Sequence, residues 1–191
     1  MPLGRRNSCS EAGEQCGGLV MPTGDFDPDR ILATLHEADV RFILVGGMAA
    51  ILHGDVGVTI DLDLVPERES QNLERLARAL RALEARIRTS DVPDGLSFDC
   101  SGAFLHDLPR DSILNLTTSA GAVDLTFQPS GTHGYADLHR DAIEIEIAGG
   151  VRILVASLAD VIRSKEAAGR EKDRLALPRL RRLLDRIHDR E

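Results

Sequence analysis

The sequence predicts a mixed α/β protein, with one central sheet flanked by helices and a C-terminal helical segment. Three observations predict it. The stretch FILVGGMAAILHGDVGVTIDLDLVP, residues 42–66, reads as strand, Gly-Gly turn, short helix and strand. Leu73, Leu76, Leu80, Leu83 and Ile87 then recur at i+3 and i+4, the spacing of a helix with one apolar face. Beyond residue 112, short alternating runs separated by Gly- and Ser-bearing turns read as strands.

Composition sets the bounds. A chain of 191 residues, 42% of them hydrophobic, suits one domain with a core of its own, and with 3% aromatics the aliphatics must fill it. No apolar run approaches the roughly 20 residues a membrane span needs, and the first residues lack the apolar centre of a secretion signal. A cytoplasmic protein with no membrane association is expected. The three cysteines, Cys9, Cys16 and Cys100, leave one over, so a disulfide framework is unsupported, and Cys9 and Cys16 lack zinc-site spacing. A net charge of −8 argues against a strongly basic nucleic-acid binder overall but leaves room for a local basic patch. Of the 23 basic residues only Lys165 and Lys172 are lysines, a rarity that singles them out.

Taken in order, residues 1–25 are rich in Gly, Ser and Glu, have no helical or strand period, and read as a disordered extension. The core is expected over 26–156 and C-terminal helices over 157–191. Asp27-Pro28 opens the first helix as N-cap and first helical residue, with Ile31, Leu32, Leu35 and Ala38 inward. Residues 42–45 form a buried strand. From 58 to 65 a second strand alternates, Val58, Ile60, Leu62 and Leu64 on one face, Thr59, Asp61 and Asp63 on the other. A long amphipathic helix is expected over 68–88, its outer faces carrying Arg75, Arg78, Arg81, Arg86 and Arg88 among Glu69, Glu74 and Glu84. Those arginines suit phosphate contacts or, more plainly, a solvated face. Residues 96–105 read as a strand, 106–111 as a loop, and 113–118 with 122–127 as a strand pair. In the last of these, Asp124 is a lone acid opposite Val123, Leu125 and Phe127. The loop 128–137 carries His133 and Tyr135, which either stack on a base or pack the loop down. Residues 142–147 and 151–155 form a hairpin about Gly149-Gly150. Ser157 with Asp160 caps a helix that Gly169 ends, and a terminal helix follows, interrupted or restarted near Pro178.

The chemistry concentrates around the second strand. Residues i and i+2 lie about 6.5–7 Å apart, so Asp61 and Asp63 can lean over one patch and share a hard cation such as Mg²⁺. Two such carboxylates repel unless a metal or a proton stands between them. Gly46 and Gly47, between strand and helix, let backbone N–H groups approach an anion at a helix N-terminus. An anion cradle facing metal-binding acids is what phosphoryl or nucleotidyl transfer requires.

Gly46, Gly47, Asp61 and Asp63 resemble the pattern of the nucleotidyltransferase superfamily that includes DNA polymerase beta, and within it the AbiEii/MenT-like toxin group. The resemblance implies a nucleotidyltransferase fold. Val123-Asp124-Leu125 is similar to its third-carboxylate strand. SKEAAGREKD is similar to Lys-x-x-Ala-Gly-Arg-x-Lys-Asp, matching at Lys165, Ala168, Gly169, Arg170, Lys172 and Asp173. By that resemblance Asp61, Asp63 and Asp124 hold two Mg²⁺ ions. Gly46, Gly47, Thr59, Lys165, Arg170 and Lys172 bind the nucleoside triphosphate, CTP or ATP, and Asp173 ties the turn together. The implied acceptor is the 3′ end of tRNA, in a toxin with a cognate antitoxin. Many members carry an arginine near Gly57 and a serine at Gly47, which this chain lacks. A degenerate domain acting as an antitoxin or regulatory partner, and an antibiotic adenylyltransferase, are the alternatives.

Overall fold

A computed structural model describes residues 26–189. The extension expected at residues 1–25, with Cys9 and Cys16, lies outside the described residues. The elements are α1 (Pro28–Glu37), β1 (Phe42–Val45), α2 (Gly46–Leu52), β2 (Asp61–Pro66), α3 (Ser70–Ala82), β3 (Arg86–Ile87), α4 (Gly102–Asp107), β4 (Ile113–Thr118), β5 (Gly121–Thr126), α5 (Tyr135–Leu138), β6 (Ile143–Glu146), β7 (Arg152–Val155), α6 (Leu158–Ala168) and α7 (Glu171–His188).

The strands form one mixed sheet in the order β3-β4-β5-β2-β1-β7-β6. β1 runs antiparallel to β2 and parallel to β7, and β2 runs parallel to β5. The expected mixed sheet flanked by helices is therefore present. α1, α3 and α4 pack in one series, and α2, α6 and α7 in another. Leu62, Leu64, Leu114, Leu116, Val123 and Leu125 belong to the buried core, as do Leu73, Leu76 and Leu80 of α3. The caps follow the sequence: Asp27 accepts from the Arg30 N–H at 3.0 Å, Ser157 Oγ from the Asp160 N–H at 3.1 Å, and Gly169 ends α6 at φ +60.

Five local expectations are corrected. The long helix stops at Ala82 rather than residue 88: Glu84 turns at φ +55 and the chain returns as β3 against β4. Leu83 and Ile87 misled because an interval of four fits both the helical period and a strand's period of two. Residues 96–105 are not a strand. Leu96 makes only an isolated bridge to Ile87, and Ser101 caps α4 by accepting from the Phe104 N–H. β2 starts at Asp61 rather than 58, because β1 ends opposite Asp63 and β5 begins beside residues 60 and 61. Residues 58 and 59 thus have no strand on either side, and Val58 and Ile60, expected on one face with Leu62 and Leu64, are 93% and 50% exposed. The loop 128–137 closes with the single turn α5. Finally, α7 is continuous through Pro178.

Pro178 sits well inside α7, where its missing N–H leaves the Arg174 carbonyl without its helical donor. Pro178→Ala should restore that bond and raise stability by about 1–3 kcal/mol, measured by urea unfolding of the two proteins.

Candidate active site

The site is built on one row of the sheet. Register places Val45 beside Asp63, Asp63 beside Asp124, and Asp124 beside Asn115. Asp61 lies two residues before Asp63 and so shares its face. Adjacent strands are about 4.8 Å apart, which makes Asp63 and Asp124 immediate neighbours. The three acids therefore converge, as expected, and all line a cavity of about 490 Å³.

Their electrostatics follow from that crowding. Burial pushes the Asp63 carboxyl up, and repulsion from Asp61 adds to it, against the Gly47 N–H and the ammonium groups of Lys165 and Lys172. Burial likewise raises Asp124, to about 6, with Arg88 opposing and Asp63 and Asp61 reinforcing. Thr59 Oγ1 donates to Asp61 Oδ1 at 2.7 Å, and Arg88 Nη2 donates to Asp124 Oδ1 at 2.5 Å. Among the described residues no three His, Cys, Asp or Glu side chains already close into a metal-holding group; each carboxylate instead leans on a donor of the protein. The donor chemistry fits a hard cation: an all-oxygen set whose mutual repulsion the protein's own donors offset only in part.

Gly46 and Gly47 are the first residues of α2 rather than a separate turn. Gly46 has φ +70, and a Cβ there would stand 1.9 Å from Asp63 Oδ2, so only glycine lets the carboxylate approach the helix start. A Cβ on Gly47 would lie 2.9 Å from Thr59 Oγ1; the threonine hydroxyl covers this glycine and ties it to Asp61.

The opposite wall comes from the αL corner between α6 and α7. Asp173 is fully buried and accepts from Lys165 Nζ at 3.1 Å and from Arg170 Nε at 2.6 Å. Burial alone would raise its carboxyl, but the hydrogen bonds from Arg170 and Lys165 prevail and hold it low. Asp173 thus fastens the corner, while Lys165, Arg170 and Lys172 line the same cavity as the acids. Every residue assigned to the site from the sequence lines this cavity.

Other residues were missed. Asp55 and Arg179 form a two-pronged ion pair, 2.5 and 2.9 Å, across 124 residues, and both line the cavity. A Cβ on Gly57 would lie 3.1 Å from Arg179 Nη2, so Arg179 occupies the space beside that glycine. No local pattern announces a pair so distant in sequence. Arg88 was assigned to a helix, although the alternation of Ala85 and Ile87 with Arg86 and Arg88 signals a strand. Tyr135 packs against the core beside His139, with ring centroids 5.5 Å apart, and the His133 N–H donates to Asp137; neither side chain lines the cavity. The expected basic residues Arg78, Arg81 and Arg86 are exposed, in keeping with a solvated face, while Arg75 pairs with Asp39, and Arg81 and Arg86 donate to the Cys100 and Gly95 carbonyls.

Two outcomes follow from this geometry. Gly46→Ala should displace Asp63 and lower stability by about 1–3 kcal/mol, as strain at a positive φ does, read by urea unfolding. For Asp124, the folded-state pKa of about 6 exceeds the ordinary carboxylate value of 3.8. The folded state then binds more protons than the unfolded one between those values, so this group's contribution falls as pH rises from about 4 to 6. Urea unfolding in EDTA at pH 5 and 7.5 should show that loss, and Asp124→Asn should reduce it. Asp55, Asp137 and Asp173, all held low, contribute in the opposite sense and only below about pH 4.

No protein-family model matches the sequence, and no curated protein aligns with it significantly. Among solved structures, the chain is similar to a Thermotoga maritima protein whose own description is a provisional one, nucleotidyltransferase. The match has a TM-score of 0.51 and 14% identity, over 82% of this chain and 95% of that one. At that identity the likeness concerns the fold: the mixed sheet with its flanking helices is a nucleotidyltransferase-like fold.

Proposed function

We propose that the protein is a metal-dependent nucleotidyltransferase that moves a nucleoside monophosphate from a nucleoside triphosphate to an acceptor hydroxyl and releases pyrophosphate. One observation carries this reading: Asp61, Asp63 and Asp124 share a sheet face and a cavity with Lys165, Arg170 and Lys172. Acids on one wall and cations on the other match a triphosphate bound with a divalent ion.

Asp61, Asp63 and Asp124 would hold the ions. Two bound Mg²⁺ would neutralise the triphosphate and activate the attacking oxygen. The backbone at Gly46 and Gly47 accommodates phosphate at the start of α2, and Lys165, with Lys172 and Arg170, binds phosphate oxygens from the far wall. Thr59 keeps Asp61 oriented. A bond forms between the acceptor oxygen and the α-phosphorus, the bond from that phosphorus to the bridging oxygen breaks, and pyrophosphate leaves. Asp124, beside the attacking hydroxyl, takes the acceptor's proton.

The finer reading rests on the sequence resemblance to the AbiEii/MenT-like toxins: CTP or ATP as donor, the 3′ end of tRNA as acceptor, and a cytoplasmic toxin with a cognate antitoxin. No helix among the described residues is long and apolar enough to cross a membrane.

The test is incorporation of labelled CTP or ATP into total tRNA. Label should enter RNA with Mg²⁺ and not with EDTA, and Asp63→Ala should lower the rate by more than about 100-fold, beyond the loss typical of outer-shell changes. A wild-type protein that binds no triphosphate in Mg²⁺ would overturn the enzymatic reading in favour of an interaction module. Labelling of an aminoglycoside but not RNA would replace the acceptor.

A further inference from the structure

The row of side chains across the sheet continues past Asp124. Asn115 faces it from β4, and Arg88, just beyond β3, joins the row through its backbone N–H, which donates to the Asn115 carbonyl at 2.9 Å. Arg88 Nη2 reaches Asp124 Oδ1 at 2.5 Å. With its amide nitrogen turned to the carboxylate, Asn115 donates toward Oδ1 and Oδ2 at 3.2 and 3.1 Å. Asp124 is therefore held from the β3–β4 side by two donors, one on β4 and one just past β3, while Asp63 borders it from the β2 side. Its side chain is 16% exposed and that of Arg88 32%.

Charge balance alone does not account for this. A guanidinium offsets a carboxylate without help, whereas a neutral amide adds direction and no charge. Two donors entering from one side fix the rotation of the carboxylate. Oδ1 takes a donor from each residue, whereas Oδ2 takes only Asn115 and keeps acceptor capacity. The arrangement also has a local origin: Glu84 ends the preceding helix early, and the chain returns as a two-residue strand whose next residue is Arg88.

We infer that Arg88 and Asn115 are positioning residues that orient Asp124 toward a divalent cation shared with Asp63. The inference rests on the metal-dependent reading of the site. A role confined to anchoring the short edge strand would leave cation affinity untouched and alter stability only.

The test is Mn²⁺ titration of the full chain by calorimetry without nucleotide, with urea unfolding of each apo-protein alongside. Wild type should bind, and Asp124→Asn should weaken binding strongly. Arg88→Met, which keeps the packing of the stem, should weaken it about 10-fold or more, in the range of outer-shell changes. Arg88→Lys should recover part of that loss, since it keeps the charge but not the planar fork, and Asn115→Ala should produce a smaller one. Wild-type affinity or tighter binding in a folded Arg88→Met protein overturns the inference, whatever its stability. If Arg88→Met does not fold, unchanged Mn²⁺ binding by Asn115→Ala overturns it equally. Wild-type protein that binds no Mn²⁺ removes the metal reading itself. Binding by wild type that Arg88→Met and Asn115→Ala leave intact removes only the role given to Arg88 and Asn115.

Discussion

Three carboxylates on one face of a sheet repel one another, and the architecture around them is a set of answers to that repulsion. Asp63 lies against the start of α2, where only a glycine at position 46 leaves room. Asp61 takes a hydroxyl from Thr59, and Asp124 takes a guanidinium from Arg88. The two lysines of the chain draw Asp63 back toward ionisation from across the cavity. Even so, burial and repulsion leave Asp63 and Asp124 above the ordinary carboxylate range. Such residual frustration among clustered carboxylates is characteristic of sites that await a charged ligand.

The opposing wall solves a different problem. Flexible cations lose entropy when they are fixed over a cavity. Here a fully buried carboxylate, Asp173, holds both Lys165 and Arg170. The left-handed residue Gly169 makes the sharp corner that brings the two helices into position for it. Lys172, on the first turn of α7, adds a third charge to the same cavity. Donor groups are thus arranged before any anion arrives, which limits the ordering cost of binding.

Much of this was legible in the sequence because it rests on local rules. The alternation of Asp61 and Asp63, the glycine pair, the caps at Asp27 and Ser157, and the hairpin strands about Ser119-Ala120 are all short-range signals. What could not be read depends on tertiary neighbours. Val58 and Ile60 alternate like strand residues, yet the flanking strands do not extend that far, and the pattern has nothing to pair with. The leucine spacing ran on to Ile87 because four residues suit helix and strand alike, which hid the turn at Glu84 and placed Arg88 on the wrong element. The Asp55–Arg179 pair had no local trace at all. The tolerance of α7 for Pro178 was also invisible, since propensity opposes it and only the packing of Leu177, Leu180 and Leu183 holds the helix through it.

The bridge between Asp55 and Arg179 bears on how the cavity comes into being during synthesis. The acids and glycines emerge from the ribosome before the helices that complete the cavity, and Arg179 follows Asp55 by 124 residues. Until α6 and α7 emerge, Asp124 has Arg88 but Asp63 lacks the ammonium groups of Lys165 and Lys172, and the segment after α2 lacks its anchor. Pocket assembly therefore waits for α6 and α7, whose side chains complete the lining that the earlier strands begin.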